Sequence, residues 1–284
     1  MIRSLPKSKV YSVSFKLYVI LYFMFLFAPL LVTCILAFND YQFPSLPWKG
    51  FTLEWFTANG PERVGIFHDQ INLDSIWVSA QVAFFVTFLS VIVGTCGAFL
   101  FEQEDFRFKQ ILYFLMLSPL VIPGVILGIS ILLFSNSLGT YFETSWNLDV
   151  ELFRPGFWLV VLGQFSFIAT LVTLVVSARL KKFDPTLEEA ALNLGANRFE
   201  VIWYITLKFL RPAIIGAGAV AFLMSFENFN TTLFLVGYEA TLPINLYLQV
   251  RDGSTPVINA ISFLLIVGTS TAALLNLYFS KKED

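Results

Sequence analysis

Six long apolar runs of this chain contain a single formal charge, Glu227, with Ser225, Phe226, Asn228, Asn230, Thr231 and Thr232 around it. A charge inside a bilayer costs about 2.5–3.5 kcal/mol even on the mildest insertion scale, so such a residue faces a cavity or a partner. Two roles suit it. One is a carboxylate on a solute path or gate, where aromatic neighbours would help it hold an ammonium group. The other is a hydrogen-bonding group against a partner subunit. A second pair of carboxylates, Glu188 and Glu189, precedes Ala190 and Ala191 on a polar stretch. The small alanines admit close approach of another surface, and the acids suit basic groups on it. Groups for bond-making chemistry are missing from the pattern. No Gly-Lys dipeptide occurs, hence no Gly-x4-Gly-Lys phosphate loop, and no nucleophile–base constellation occurs either. His68, the sole histidine, reads as a solvated side chain without metal-ligand spacing around it. The chain alone is therefore expected to be no enzyme, to hold no metal or cofactor, and to bind no nucleic acid.

The elements that position these residues follow from composition. Hydrophobic residues are 57% of 284 positions and charged residues 13%, whereas soluble domains carry about 25% charged residues. The runs 17–38, 76–101, 111–134, 155–178, 212–236 and 257–279 are each long enough to cross a bilayer, which takes roughly 20 residues. The expected fold is an all-α membrane protein with six transmembrane helices. A segment 1–16 precedes the spanning domain 17–279, and a tail 280–284 follows it. If 212–236 is one helix, Glu227 lies about 22 Å along it from Pro212, slightly external of its midpoint.

Positive residues stay on the cytoplasmic side of a membrane. Of the 18 Lys and Arg, Arg3, Lys7, Lys9, Lys16, Arg107, Lys109, six residues of the loop 179–211, Lys281 and Lys282 fall on one side; Lys49, Arg63, Arg154 and Arg251 fall on the other. Both termini are expected in the cytoplasm. The basic start reads as an uncleaved signal anchor, because its apolar core is longer than the 7–15 residues of a secretory signal. The outer loops are net acidic, either because acids are free to sit outside or because they attract a cationic solute or basic partner. Cys34 and Cys96 lie near opposite ends of their spans, too far apart to pair, and read as packing residues.

The outer segment 39–75 shows no helical periodicity, being broken by Pro44, Pro47, Gly50, Gly60 and Pro61. Its Trp48, Phe51, Trp55 and Phe56 suit either interface anchoring or a platform for an external partner. Ser118-Pro119 and Pro123-Gly124 should kink the third span, whether to line a pore or for packing alone.

The loop 179–211 carries helix signals although it is polar. Asp184 with Pro185 at the first helical position, or Thr186 with Glu189, starts a helix. Gly195 suits the left-handed residue that ends it, and Asn197 with Glu200 starts another. The spacing of Glu189, Ala190, Ala191, Gly195, Ile205 and Leu207 resembles the cytoplasmic coupling loop of bacterial ABC importer permeases of the type I fold. That resemblance implies that the first short helix inserts into a cleft of a separate ATPase subunit. Lys208 stands where that family has Pro. Ser118-Pro119, 187–197, Ser225-Phe226-Glu227, Leu242-Pro243 with Tyr247, and Asn259-Ala260 resemble the spermidine/putrescine branch over about 17–279. There a second acid follows Ser-Phe-acid; here Asn228 takes its place.

The resemblance implies a bacterial inner-membrane permease subunit for polyamines, with Ser225, Phe226, Glu227 and Asn228 along the substrate path. Its implied partners are membrane lipid, a second permease subunit, an ATPase dimer carrying ATP and Mg2+, an external solute-binding protein and a small cationic solute. Rival readings are a permease for thiamine, ferric ion or a phosphonate, a proton-coupled secondary transporter, and a passive assembly subunit.

Overall fold

The computed structural model describes residues 9–61, 63–253 and 255–280. Arg3, Lys7, Lys281 and Lys282, and with them most of the expected tail, lie outside the described residues. The helices are α1 Lys9–Leu36, α2 Glu54–Thr57, α3 Gln70–Gln103, α4 Lys109–Val121, α5 Gly124–Trp146, α6 Phe157–Leu180, α7 Thr186–Asn193, α8 Arg198–Val201, α9 Leu207–Phe226, α10 Thr232–Leu235, α11 Leu242–Gly253 and α12 Val257–Ser280. Among the described residues β-structure is limited to two isolated bridges. The protein is an all-helical membrane protein. Five of its helical segments are long and apolar enough to cross a bilayer: 10–36, 70–103, 124–146, 157–180 and 198–226. The shorter apolar helices 109–121 and 257–271 accompany them.

Two spans differ from the sequence expectation. The third, expected as one kinked helix over 111–134, is two helices. Ile122 is extended at ψ 129°, because a residue before proline is pushed out of the α region. The second piece, α5, then runs on to Trp146. The fifth, expected over 212–236, stops at Phe226. Its inner end is also longer than expected, since 198–226 is helical throughout, with a π-turn at Ile202–Thr206 and Pro212 inside.

The chain forms two compact units, 1–73 with 248–284, and 74–247. In the first, α12 packs on α1 and α2. Phe38 joins Phe263 at 5.0 Å between ring centroids and Phe56 at 5.3 Å. The external segment is built although it lacks periodicity. Asn39 is buried; its Nδ2 donates to the carbonyls of Ser45 and Pro47, and its Oδ1 accepts from the Lys49 N–H. The Trp55 indole donates to the Asn39 carbonyl at 2.8 Å. Arg63 reaches Asp40 and Glu54, each at 2.6 Å. The bond to Asp40, opposed by burial and aided by Glu54, raises the Arg63 pKa above the ordinary arginine value. Buried Trp55 and Phe56 hold the loop together, while Trp48 and Phe51 are exposed.

In the second unit α6 is the central element, with 67% of its spanning window buried. It packs against α4, α5, α9 and α10, through Leu159, Val161, Ile168, Val172 and Val176 onto Leu210, Ala217, Ala221 and Leu235. Lipid tails are as apolar as leucine, so close contact rather than hydrophobicity drives such packing, and small residues permit it. Gly94 of α3 meets this need: a Cβ there would stand 2.8 Å from the Val172 side chain. Cys96 is exposed on this chain, against the expectation of a packing residue, and both cysteines are free.

Candidate functional site

Two sites stand at the ends of one continuous helical stretch, 198–226. The first begins where α6 ends. Asp184 Oδ1 accepts from the Thr186 N–H at 3.0 Å and from its hydroxyl at 2.8 Å, and the turn Asp184-Pro185-Thr186 opens α7. At the other end Gly195 takes φ +96°. The Ala196 N–H donates to the Ala191 carbonyl at 3.1 Å and the Gly195 N–H to that of Leu192 at 3.0 Å. These two bonds form the Schellman arrangement that satisfies orphaned carbonyls at a helix end. Asn197 and Glu200 then exchange backbone–side-chain bonds at 2.8 and 2.9 Å, the reciprocal capping box that opens α8.

The two acids of this loop differ in their surroundings. Glu188 is half-buried and accepts a hydrogen bond from the hydroxyl of Thr206, itself fully buried in the π-turn. Its carboxylate is thus engaged inside the chain and pins α7 to the root of the fifth span. Glu189 is exposed, as are Ala190 and Gly195, while Ala191, Ile205 and Leu207 are half-buried. Around them Leu187, Leu194, Phe199, Trp203 and Tyr204 expose large apolar side chains, Leu194 to 89%. Apolar exposure of this kind on an otherwise polar loop suits contact with a protein partner or with the membrane. Sequence reading passed over Phe199, Trp203 and Tyr204, which fall outside the motif spacing.

The second site is the break after Phe226. Glu227 is the C-cap of α9 and exposed, and its carboxylate makes no hydrogen bond or ion pair among the described residues. The C-terminal end of a helix carries about half a negative charge, which disfavours a carboxylate there. Among the described residues no side chain pairs with the charge. Two residues on, Phe229 packs against Tyr247 with centroids 5.1 Å apart, an aromatic pair of the kind that receives cations. Asn228 is half-buried and caps α10, its Oδ1 accepting from the Thr232 hydroxyl at 3.0 Å and from the Thr232 N–H at 3.3 Å. Ser225 is buried, and its hydroxyl donates to Gln164 Oε1. Phe226 is half-buried and stacks on Phe222 at 6.2 Å.

Of the path residues expected from sequence, Glu227 alone presents an uncommitted charged group, while Ser225 and Asn228 hold the break itself. Gln164 was missed. The signal was available: a lone amide in the apolar run 155–178 invites the same question as a lone carboxylate in 212–236.

Residues 90–283 match the family described as binding-protein-dependent transport system inner membrane component, and the chain belongs to that family. It is 29% identical over 264 residues to the putrescine transport system permease protein PotI of Escherichia coli (strain K12), covering 92% of this chain and 89% of that protein. It is 26% identical over 264 residues to the spermidine/putrescine transport system permease protein PotC of Haemophilus influenzae, covering 92% and 94%. A bacterial ABC transporter involved in the import of the acidic polysaccharide alginate superposes with a TM-score of 0.67 at 12% identity, covering 98% of this chain and 99% of that one. This last likeness speaks for the fold, that of an ABC permease. The chain is a multi-pass membrane transport component.

Proposed function

We propose that this chain is the permease subunit of an ATP-driven, binding-protein-dependent importer of putrescine- and spermidine-like polyamines. The carrying observation is Glu227, an exposed carboxylate without a partner among the described residues, at the negative end of a helix and two residues before Phe229 of the Phe229–Tyr247 ring pair. A cation supplies what this charge lacks. The names of the similar permeases from Escherichia coli and Haemophilus influenzae support the same solute class.

In this reading the chain works in the inner membrane beside a second permease subunit, an ATPase dimer that holds ATP and Mg2+, and an external solute-binding protein. α7 sits in a cleft of the ATPase, with Glu189, Ala190, Ala191 and Gly195 at the contact. Closure of the ATPase displaces α7, and the Glu188–Thr206 bond passes that movement to the π-turn. From there the 20-residue helix Leu207–Phe226, about 30 Å long, leads to the carboxylate. The movement reaches the solute path along one helix, with Pro212 inside it, a displacement of the kind alternating access uses.

The test is reconstitution with the partner subunits in sealed vesicles. An ATPase should co-purify, and putrescine uptake should require ATP and loaded binding protein. Uptake driven by a proton gradient without ATP would overturn the importer, and ATP-driven uptake of thiamine or ferric ion but not putrescine would overturn the polyamine. In this reading both termini lie in the cytoplasm, which the distribution of basic residues supports. With Cys34 and Cys96 replaced by Ala, Asn193→Cys and Tyr238→Cys are expected to react with an impermeant thiol reagent from opposite sides. Labelling of both from one side would reverse that topology.

A further inference from the structure

Glu227 stands at a break in a helix, and the sequence around it supplies no proline or glycine to make one. The break is held from outside. Gln164 of α6 is fully buried, and both ends of its amide are used. Its Oε1 accepts from the Ser225 hydroxyl in the last turn of α9. Its Nε2 donates at 2.8 Å to the hydroxyl of Thr232, the first residue of α10. These partners lie on either side of Glu227, seven residues apart. In an unbroken helix seven residues span about 10 Å along the axis. That is more than one amide bridges with hydrogen bonds of about 3 Å at each end. Gln164 makes both bonds only when the chain folds back between them, so it favours the broken form over the continuous one.

The direction of the hydrogen bonds extends this control. The Ser225 hydroxyl donates to Gln164, Gln164 donates to Thr232, and Thr232 donates to Asn228 Oδ1 at 3.0 Å. Each hydroxyl proton has one assigned acceptor, so one amide orients the residues before and after the carboxylate. The opposite wall is equally close. A Cβ at Gly128 of α5 would stand 2.7 Å from the Thr231 carbonyl oxygen, so the backbone of the break rests directly on α5.

We propose that Gln164 is a positioning residue for the Glu227 carboxylate, fixing where the broken helix presents its charge to a passing cation. The proposal rests on the reading of Glu227 as a cation-path group. It is tested by a double-mutant cycle in the complete transporter, reconstituted with saturating loaded binding protein. The readout is putrescine moved per ATP hydrolysed; a defect of assembly alone lowers both quantities together and leaves their ratio unchanged. Gln164→Leu retains bulk and removes both bonds, and is expected to lower the ratio about tenfold, the usual scale of coupling between residues in one network. In a Glu227→Gln background it should lower the ratio no further, because no charge remains to be positioned.

An unchanged ratio for Gln164→Leu, or effects that multiply in the double variant, would overturn the proposal and leave the reading of Glu227 standing. A normal ratio for Glu227→Gln alone would sink that reading, and the proposal with it. If Gln164→Leu does not assemble, Thr232→Val removes one hydroxyl at nearly constant shape and takes its place in the cycle. Its expected fall is about threefold, again absent in the Glu227→Gln background, and multiplication there overturns the proposal in the same way.

Discussion

Gly195→Asp is expected to leave the protein inserted and folded while transport falls about a hundredfold. The backbone at this position has φ +96°, and among the described residues no atom beyond its two chain neighbours lies within 4 Å of where a Cβ would be. The fold therefore bears only the strain of a left-handed residue, about 1–2 kcal/mol. Asp is among the residues that tolerate that region best. The larger effect falls on docking. In the proposed complex this surface is covered by the ATPase, and an unpaired charge buried in an interface costs about 3 kcal/mol, or about a hundredfold. The measurements are uptake in vesicles and ATP hydrolysis with and without loaded binding protein. Hydrolysis should lose its dependence on that protein. Normal transport by this variant would remove α7 from the contact. Gly195→Asn, which keeps the left-handed preference without the charge, is expected to fall much less.

Glu227→Gln is expected to lower polyamine uptake about tenfold with assembly intact. Gln keeps the size and hydrogen-bonding capacity of the side chain and removes its charge. A hydrogen bond to an ionised group is about twice as strong as a neutral one. The difference of about 1.4 kcal/mol corresponds to about tenfold. A role against a partner subunit predicts the reverse ranking, with Gln tolerated and Glu227→Ala weakening co-purification of the ATPase. Both variants should therefore be assayed for uptake and for co-purification. Full uptake by the Gln variant would take the cation away from this carboxylate.

The turns of the loop 179–211 were legible because their signals are local. Asp184 with Pro185, Gly195, and Asn197 with Glu200 each act on their own backbone within a few residues, so tertiary context had nothing to override. The structure added that Glu188 turns inward to Thr206 and leaves Glu189 exposed. Two adjacent identical residues carry no such distinction in sequence. The break in the third span was half legible. Pro123 forecast a kink, but only the structure set α4 and α5 apart as two helices.

By itself the sequence determined that the chain belongs in a membrane, because a bilayer demands apolar stretches of a minimum length. It also determined where the polar loop turns and that one carboxylate lies inside an apolar run. The tertiary structure alone decided that the fifth span stops at Phe226. Every residue of 212–236 after Pro212 is acceptable in a helix, and the competing bonds come from Gln164, 61 and 68 residues from Ser225 and Thr232. It also decided which span forms the centre of the unit 74–247. The windows of α1 and α6 have mean hydropathies of 2.6 and 2.3, yet 0% and 67% of them are buried. Lipid and protein interior are equally apolar, so composition cannot distinguish a helix facing one from a helix packed in the other.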